Sequence, residues 1–278
     1  MSNFLKRNFQ PILAAIIFLL AYIPIFIWMW DRWFARDTYY SHGILVPFVT
    51  AYFIWQKREE LQKTPVRRAP GSLVLFAFGI ALYLVSSILR VYFSSAISML
   101  IVLVSLILYF YGTKVLRKIA FPICFLIFMV PLPLYVIVNI SFKMKLFAAA
   151  IAAHLLNALG LYAIRDGSVI KLHSTFVIVD DVCSGLRSLI SLSALGCIFA
   201  YIVNVPMYKR VLIFLTTIPI AIITNVCRVV LLSTLAEMLG VETIQGLLHN
   251  VTGFLVFALA FVMLYTIGRL LEDDEVKT

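Results

Sequence analysis

The chain reads as an all-α polytopic membrane protein. About eight transmembrane helices are expected, with one interfacial helix and a small extracytoplasmic β-meander before the helix that carries the candidate catalytic residues. Three observations predict this class. Hydrophobic residues make up 63% of the chain and charged ones only 13%, with mean hydropathy +1.03, whereas a soluble domain carries about 25% charge. Apolar runs of spanning length recur along the whole chain. The net charge of +10 is spread over the short connections between those runs, which is the positive-inside pattern. No basic run alternates with exposed aromatics, so nucleic acid is not an expected partner.

Taken in order, the expected spans lie at roughly residues 10–30, 40–56, 71–89, 92–112, 119–138, 184–204, 210–235 and 247–269, each near the ~20 residues that a bilayer requires. The first follows Lys6 and Arg7, is too long for a cleaved signal and has no small-residue cleavage site after it, so it reads as a signal anchor. Residues 1–278 are expected to form a single membrane-embedded domain with its catalytic half at about 161–268 and no appended soluble domain. With the N-terminus inside, 14 of the 23 basic residues fall in inside segments. That favours both termini inside.

Two segments interrupt the series. Residues 139–160 contain Lys143, Lys145, His154 and Asn157, and follow the Pro131-Leu132-Pro133 break. They suit an amphipathic helix on the outer surface, since a crossing there would invert everything after it. Residues 161–182 form the longest polar excursion. Asp166-Gly167 is a hairpin-turn pair, and the β-branched stretches 168–172 and 175–179 flank His173-Ser174. A small meander feeding into Cys183 is expected, with an ordinary loop as the alternative.

The run Asp180-Asp181-Val182-Cys183-Ser184-Gly185-Leu186-Arg187 places a thiol and a guanidinium four residues apart where a polar segment enters an apolar helix. On a helix those two positions share a face. Arg228, about seven residues (about 10 Å) before the outer end of the seventh span, and His249, which opens the eighth, reach the same outer region. Burying an arginine near a span centre costs about 2.5–3.5 kcal/mol, so two near one thiol need a reason. Cationic neighbours favour the thiolate, guanidinium donors stabilise an oxyanion, and an imidazole has the pKa range to protonate a leaving amine. Asp180 and Asp181 act in the opposite sense.

Blander readings stand beside these. Arg187 and Arg228 also suit ion pairs with Asp181 and Glu237, and His249 also suits a helix cap. Ser184, Ser188, Ser191 and Gly196 suit close helix approach, and Cys124 and Cys197 suit packing. His42, in Tyr39-Tyr40-Ser41-His42-Gly43, either lines a substrate entrance or is an interfacial anchor with its two tyrosines. No Cys or His spacing suits a metal, and no cofactor is expected.

Cys183-Ser184-Gly185-Leu186-Arg187-Ser188, then Asn225-Val226-Cys227-Arg228, then His249 with Gly253, resemble the three signature blocks of exosortases, polytopic membrane cysteine transpeptidases related to archaeosortases. Tyr40-Ser41-His42-Gly43 with Pro47, and Phe121-Pro122 through Pro131-Leu132-Pro133, resemble further family blocks, so the resemblance covers roughly residues 35–268. It implies a catalytic set of Cys183, Arg228 and His249, supported by Arg187, Asn225, His42 and Ser184. His249, where archaeal relatives often have arginine, points to the bacterial branch. It also implies the partners: secreted proteins with a C-terminal tail of short motif (usually Pro-Glu-Pro in bacteria), hydrophobic helix and basic cluster. The cut would fall at the outer face of the bacterial inner membrane. The new carboxyl end would pass to an acceptor, an amine or a membrane lipid, and many bacterial members accompany exopolysaccharide synthesis. Two competitors stay open. One is a thiol protease that only hydrolyses. The other is a transporter or flippase whose arginines bind an anionic substrate.

Overall fold

Tyr22 and Pro24 break the first apolar run. In this computed structural model the run forms α1 (Ser2–Ala21) and α2 (Ile23–Trp33), bent by 58°. Pro24, at the start of α2, has no N–H to continue the helical ladder. The chain divides into two units, residues 1–133 and 134–278. Residues 2–36, 38–180, 184–240, 242 and 247–276 are described, and the side chains of 2–8, 247–250 and 273–276 fall outside that description.

In the first unit α1 and α2 are followed by a 3-10 turn (Ser41–Ile44), α3 (Leu45–Gln56), α4 (Arg58–Gln62), α5 (Ser72–Ile88), α6 (Tyr92–Phe110), α7 (Gly112–Lys118) and α8 (Ala120–Phe125) with a 3-10 extension (Leu126–Met129). At the bend, the buried Tyr22 hydroxyl is 3.2 Å from Ser98 Oγ, and Tyr83 donates to the Ala21 carbonyl at 2.9 Å. Gly79 of α5 lets α6 come close, since a Cβ there would stand 2.7 Å from Val102. Side chains tie the short helices to backbone carbonyls: Thr50 donates to Pro122 and Trp33 Nε1 to Met129.

The second unit holds α9 (Leu134–Ala158), β1 (Ile164–Asp166), β2 (Val169–Lys171), β3 (Phe176–Ile178), α10 (Leu186–Ile202), α11 (Met207–Leu239) and α12 (Leu247–Val276). The expected meander is present as an antiparallel sheet in the order β1-β2-β3, with Arg165 opposite Ile170 and Ile170 opposite Val177. Its two-residue turn is Gly167-Ser168, with Gly167 at φ 62°, one residue beyond the pair picked out in the sequence. Asn157 clamps the end of α9 to the sheet, donating to the Ala153 and Ala163 carbonyls and accepting the Ala163 N–H. Ile170 and Val179 pack in one core with Leu156 of α9 and Val226 of α11.

Helix directions follow from the contacts. Gly185 and Gly196 of α10 meet Asn225 and Thr217 of α11 in turn, so α10 runs against α11. Gly253 of α12 meets Arg228, and Lys209 Nζ donates to the Leu271 carbonyl, so α12 also runs against α11. α9 runs with α11: Lys143 and Met144 share a cavity wall with Ile222, and Ala152 and Leu156 pack in the core with Val226 and Val229. The start of α10, the ends of α9 and α11, the start of α12 and the sheet therefore gather at one end of this unit.

Two expectations meet a different picture. Residues 139–158 lie in a 25-residue helix, Leu134–Ala158, long and apolar enough to cross a membrane and packed side by side with α11, where an interfacial helix was expected. Ala148, Ala149, Ala152 and Ala153 are buried, and this small-residue face permits the close approach. The count of eight similar spans is not reproduced either. Among the described residues four helices have spanning length and composition, or five with the bent pair taken as one, while Ser72–Ile88, Ala120–Met129 and Leu186–Ile202 are shorter apolar helices. The expected span at 119–138 stops at Met129 because Pro131 and Pro133 follow. The ten residues Ala120–Met129 rise about 15 Å, half of the ~30 Å core.

Candidate functional site

Gly185 organises the entry to α10. It caps the helix in the left-handed region at φ 80°, a conformation that ordinary residues avoid. A Cβ on it would stand 2.7 Å from Asn225 Cγ. Only glycine lets this turn rest directly on the Asn225 side chain. Ser184 precedes it, 1% exposed, and its Oγ accepts the Leu186 N–H at 3.4 Å. The turn at 184–185 is thus held by a hydrogen bond within itself and by the contact of Gly185 with Asn225 of α11.

On α11, Asn225 and Arg228 lie one turn apart, 3% and 8% exposed. Burial of a guanidinium to this degree is expensive unless its donors are used. The Arg228 guanidinium lies against Gly253 of α12, where a built Cβ would be 3.3 Å from Nη2 and 3.5 Å from Cζ. Position 249 stands four residues, one helical turn, before Gly253 on the same side of α12. Positions 184, 185, 225, 228 and 253 therefore converge from three helices at one end of the unit.

Cys183 and Asp181 lie outside the described residues, as does the side chain of His249. Three sequence arguments about their neighbours are corrected all the same. α10 begins at Leu186 behind a left-handed Gly185, so the helical i, i+4 argument that set Arg187 on one face with Cys183 does not extend back to position 183. Arg187 stands in the first turn of α10, partly buried, and its Nε has no hydrogen-bond partner among the described residues. Arg228 lies deeper than expected. α11 continues to Leu239, placing Arg228 eleven residues from that end, or about 16 Å. Glu237 makes no ion pair with either arginine among the described residues; its carboxylate accepts the Ser174 N–H in the β2–β3 connection at 3.0 and 3.3 Å. The meander that leads into residue 183 is thereby tied to the helix that carries Arg228.

A cavity of about 310 Å³ adjoins this place, lined by Lys143, Met144, Phe147 and Ala148 of α9, Ser184, and Ile222 and Asn225 of α11. Lys143 was missed in the sequence as a site residue. Assigned to an outer-surface helix, its charge looked ordinary. On a candidate span that lies along α11, it lines this cavity level with Ile222, and a cation within a span is a reason to look for a functional role. In the sheet, Lys171 hydrogen bonds to Asp166 and holds its carboxyl below the usual range.

His42 belongs to the first unit. Its ring stacks on Tyr40 at 5.9 Å and it hydrogen bonds to the Phe128 backbone. Cys124 and Cys227 are exposed and Cys197 is partly buried. Among the described residues no group of three or more His, Cys, Asp or Glu is placed to hold a metal.

No curated protein and no solved structure matches the chain. The family model described as transmembrane exosortase matches residues 30–266, and it covers every position of the constellation just described. With that match and its apolar helices, the chain is a multi-pass membrane protein belonging to the transmembrane exosortase family.

Proposed function

We propose that this protein is a membrane cysteine transpeptidase that removes the C-terminal sorting tail of secreted proteins at the outer face of the bacterial inner membrane, with both termini inside. The observation that carries the reading is the convergence of Ser184-Gly185, Asn225, Arg228 and Gly253 from three helices, in a chain of this family. Cys183 adjoins the first of these, and His249 lies a turn from the last.

The chemistry follows from the groups. The Cys183 thiolate attacks the scissile carbonyl carbon, and the negative charge that develops on oxygen is met by the Arg228 guanidinium, a planar fork of donors held in a low-dielectric site. His249 gives a proton to the amine as the C–N bond breaks. The tail departs and a thioester remains. An acceptor amine then attacks the thioester and gives its proton to the now neutral His249, a new C–N bond forms, the C–S bond breaks and the thiolate is released. Arg187 lies near enough in sequence to favour the thiolate, and Asn225 and Ser184 position the segment around it. His42 supports the N-terminal block. A tail composed of motif, apolar helix and basic cluster would leave its motif at the outer interface.

Cys183→Ala is expected to abolish maturation of a tagged substrate while the protein stays in the membrane; continued maturation refutes the nucleophile. Arg228→Lys is expected to be severely impaired, because a point charge does not reproduce the fork. The mass of the mature C-terminus separates the outcomes. An added mass means transfer, and a free carboxylate means hydrolysis alone. A transporter would keep its function in Cys183→Ala and lose it in Arg228→Ala.

A further inference from the structure

The first unit contains a cavity of about 1120 Å³ that plays no part in the chemistry above. Its walls are apolar: Ala51 of α3, Leu103 and Ile107 of α6, and Ile123 of α8. Gln62, the last residue of α4, and Lys63, which follows it, are polar residues at one end of the lining and are both exposed. Between Leu103 and Tyr111, which both line it, the cavity follows α6 for eight residues, or about 12 Å. One leaflet of the hydrocarbon core is about 15 Å deep. The void thus has the depth of a single leaflet and the polarity gradient of a lipid.

Lys63 is the charged residue of the lining, and the segments that carry the lining residues at this end are basic: residues 57–68 and 114–118 hold Lys57, Arg58, Lys63, Arg67, Arg68, Lys114, Arg117 and Lys118 against only Glu59 and Glu60. Glu60 is taken by Lys118 at 2.7 Å, and Lys57 donates to the Lys118 carbonyl. Lys63, exposed at this end, makes no ion pair with a described residue. A basic end to a leaflet-deep apolar void selects an anionic headgroup with an acyl chain beneath it. It disfavours the tail of a substrate that ends in a basic cluster.

We propose that this cavity is a binding site for an anionic phospholipid of the leaflet at the basic end, with one acyl chain between α3, α6 and α8 and the headgroup at Lys63. The site is independent of the cysteine chemistry.

The full chain is purified in mild detergent and titrated with phosphatidylglycerol or phosphatidylcholine of the same acyl chains, and retained lipid is read by native mass spectrometry. The expected result is one phosphatidylglycerol per chain, retained at concentrations about tenfold lower than phosphatidylcholine. Lys63→Glu is expected to erase the preference between the two headgroups. Ala51→Trp and, separately, Leu103→Trp fill the cavity and are expected to lower retention of both lipids about tenfold, with thermal unfolding midpoints checked alongside. Equal retention of the two lipids by the parent chain, a headgroup preference that survives Lys63→Glu, or unchanged retention in a folded cavity-filling variant overturns the proposal. So does extraction of a neutral isoprenoid or a peptide as the tightly held occupant.

Discussion

The guanidinium of Arg228 rests against the bare face of Gly253, with room for no more than a tight methyl: a Cβ there would be 3.3 Å from Nη2. That distance is shorter than ordinary van der Waals contact. α12 therefore sets the position of the charge carried by α11. Gly253→Ala is expected to push the guanidinium by a few tenths of an ångström and to slow substrate processing measurably. Gly253→Val has branches that must occupy the guanidinium's own space, and displacement of a catalytic group by about 1 Å can cost on the order of a hundredfold. The measurement is the maturation rate of a tagged tail substrate in membranes, normalised to enzyme amount. Equal rates for Gly253→Val and the parent would show that Arg228 takes no part in the slow chemistry.

Gly185 meets Asn225 in the same way at the start of α10, and here backbone and packing act together. At φ 80° an ordinary residue is strained by about 1–2 kcal/mol. A Cβ 2.7 Å from Asn225 Cγ adds an overpacking cost of about 1–3 kcal/mol. Gly185→Ala is expected to lower the thermal unfolding midpoint and abolish processing. Adding Asn225→Ala removes the clash and leaves the strain, so the double variant is expected to recover part of the lost midpoint but no activity. A double variant no more stable than Gly185→Ala would show that the contact is not the source of the cost.

Glu237 links the meander to α11 through the Ser174 N–H. A hydrogen bond to a charged acceptor contributes about 1.5–3 kcal/mol when shielded, and the exposure of both partners reduces it towards about 1 kcal/mol. Glu237→Ala is expected to speed exchange of the Ser174 amide about fivefold and to slow processing by a smaller factor, with Glu237→Gln intermediate. Hydrogen exchange of the 172–178 peptide reads the first effect. Unchanged exchange in Glu237→Ala would leave the meander held by its apolar contacts alone.

How far the sequence could be read depended on what each residue reports. Arg228 was legible because a charge is costly in an apolar run, while Gly185, Asn225 and Gly253 came only with the blocks that resemble a known family, and the structure brings those four positions together. The depth of Arg228 was misjudged because Ala236 and Leu239, which continue α11, are equally at home in a loop near an interface. Glu237 carries charge, and charge alone does not say whether the partner is a guanidinium or a backbone amide. α9 was hidden for a related reason. Asn139, Lys143, Lys145 and Asn157 dilute its hydropathy, although the repeat of Ala148, Ala149, Ala152 and Ala153 marks a helix-packing face. Misplacing α9 also hid Lys143. The short helices of the first unit were overextended because apolar residues continue through their breaks, while Pro24 and Pro131 decide where the ladders stop.

The placement of α9 gives the last expectation. From Tyr135 to Leu159 the chain rises about 36 Å, more than the ~30 Å hydrocarbon core, and α9 runs in the same direction as α11. Tyr135 and Leu159, 79% and 69% exposed, are therefore expected at opposite membrane faces. Single cysteines at these positions, in a background with Cys124, Cys183, Cys197 and Cys227 replaced by alanine, report this with an impermeant maleimide. Leu159→Cys is expected to label from the same side as Phe176→Cys in the meander, and Tyr135→Cys only from the other. Labelling of all three from one side would return residues 139–160 to the surface of the bilayer. It would also remove Lys143 from the neighbourhood of Ser184 and Asn225.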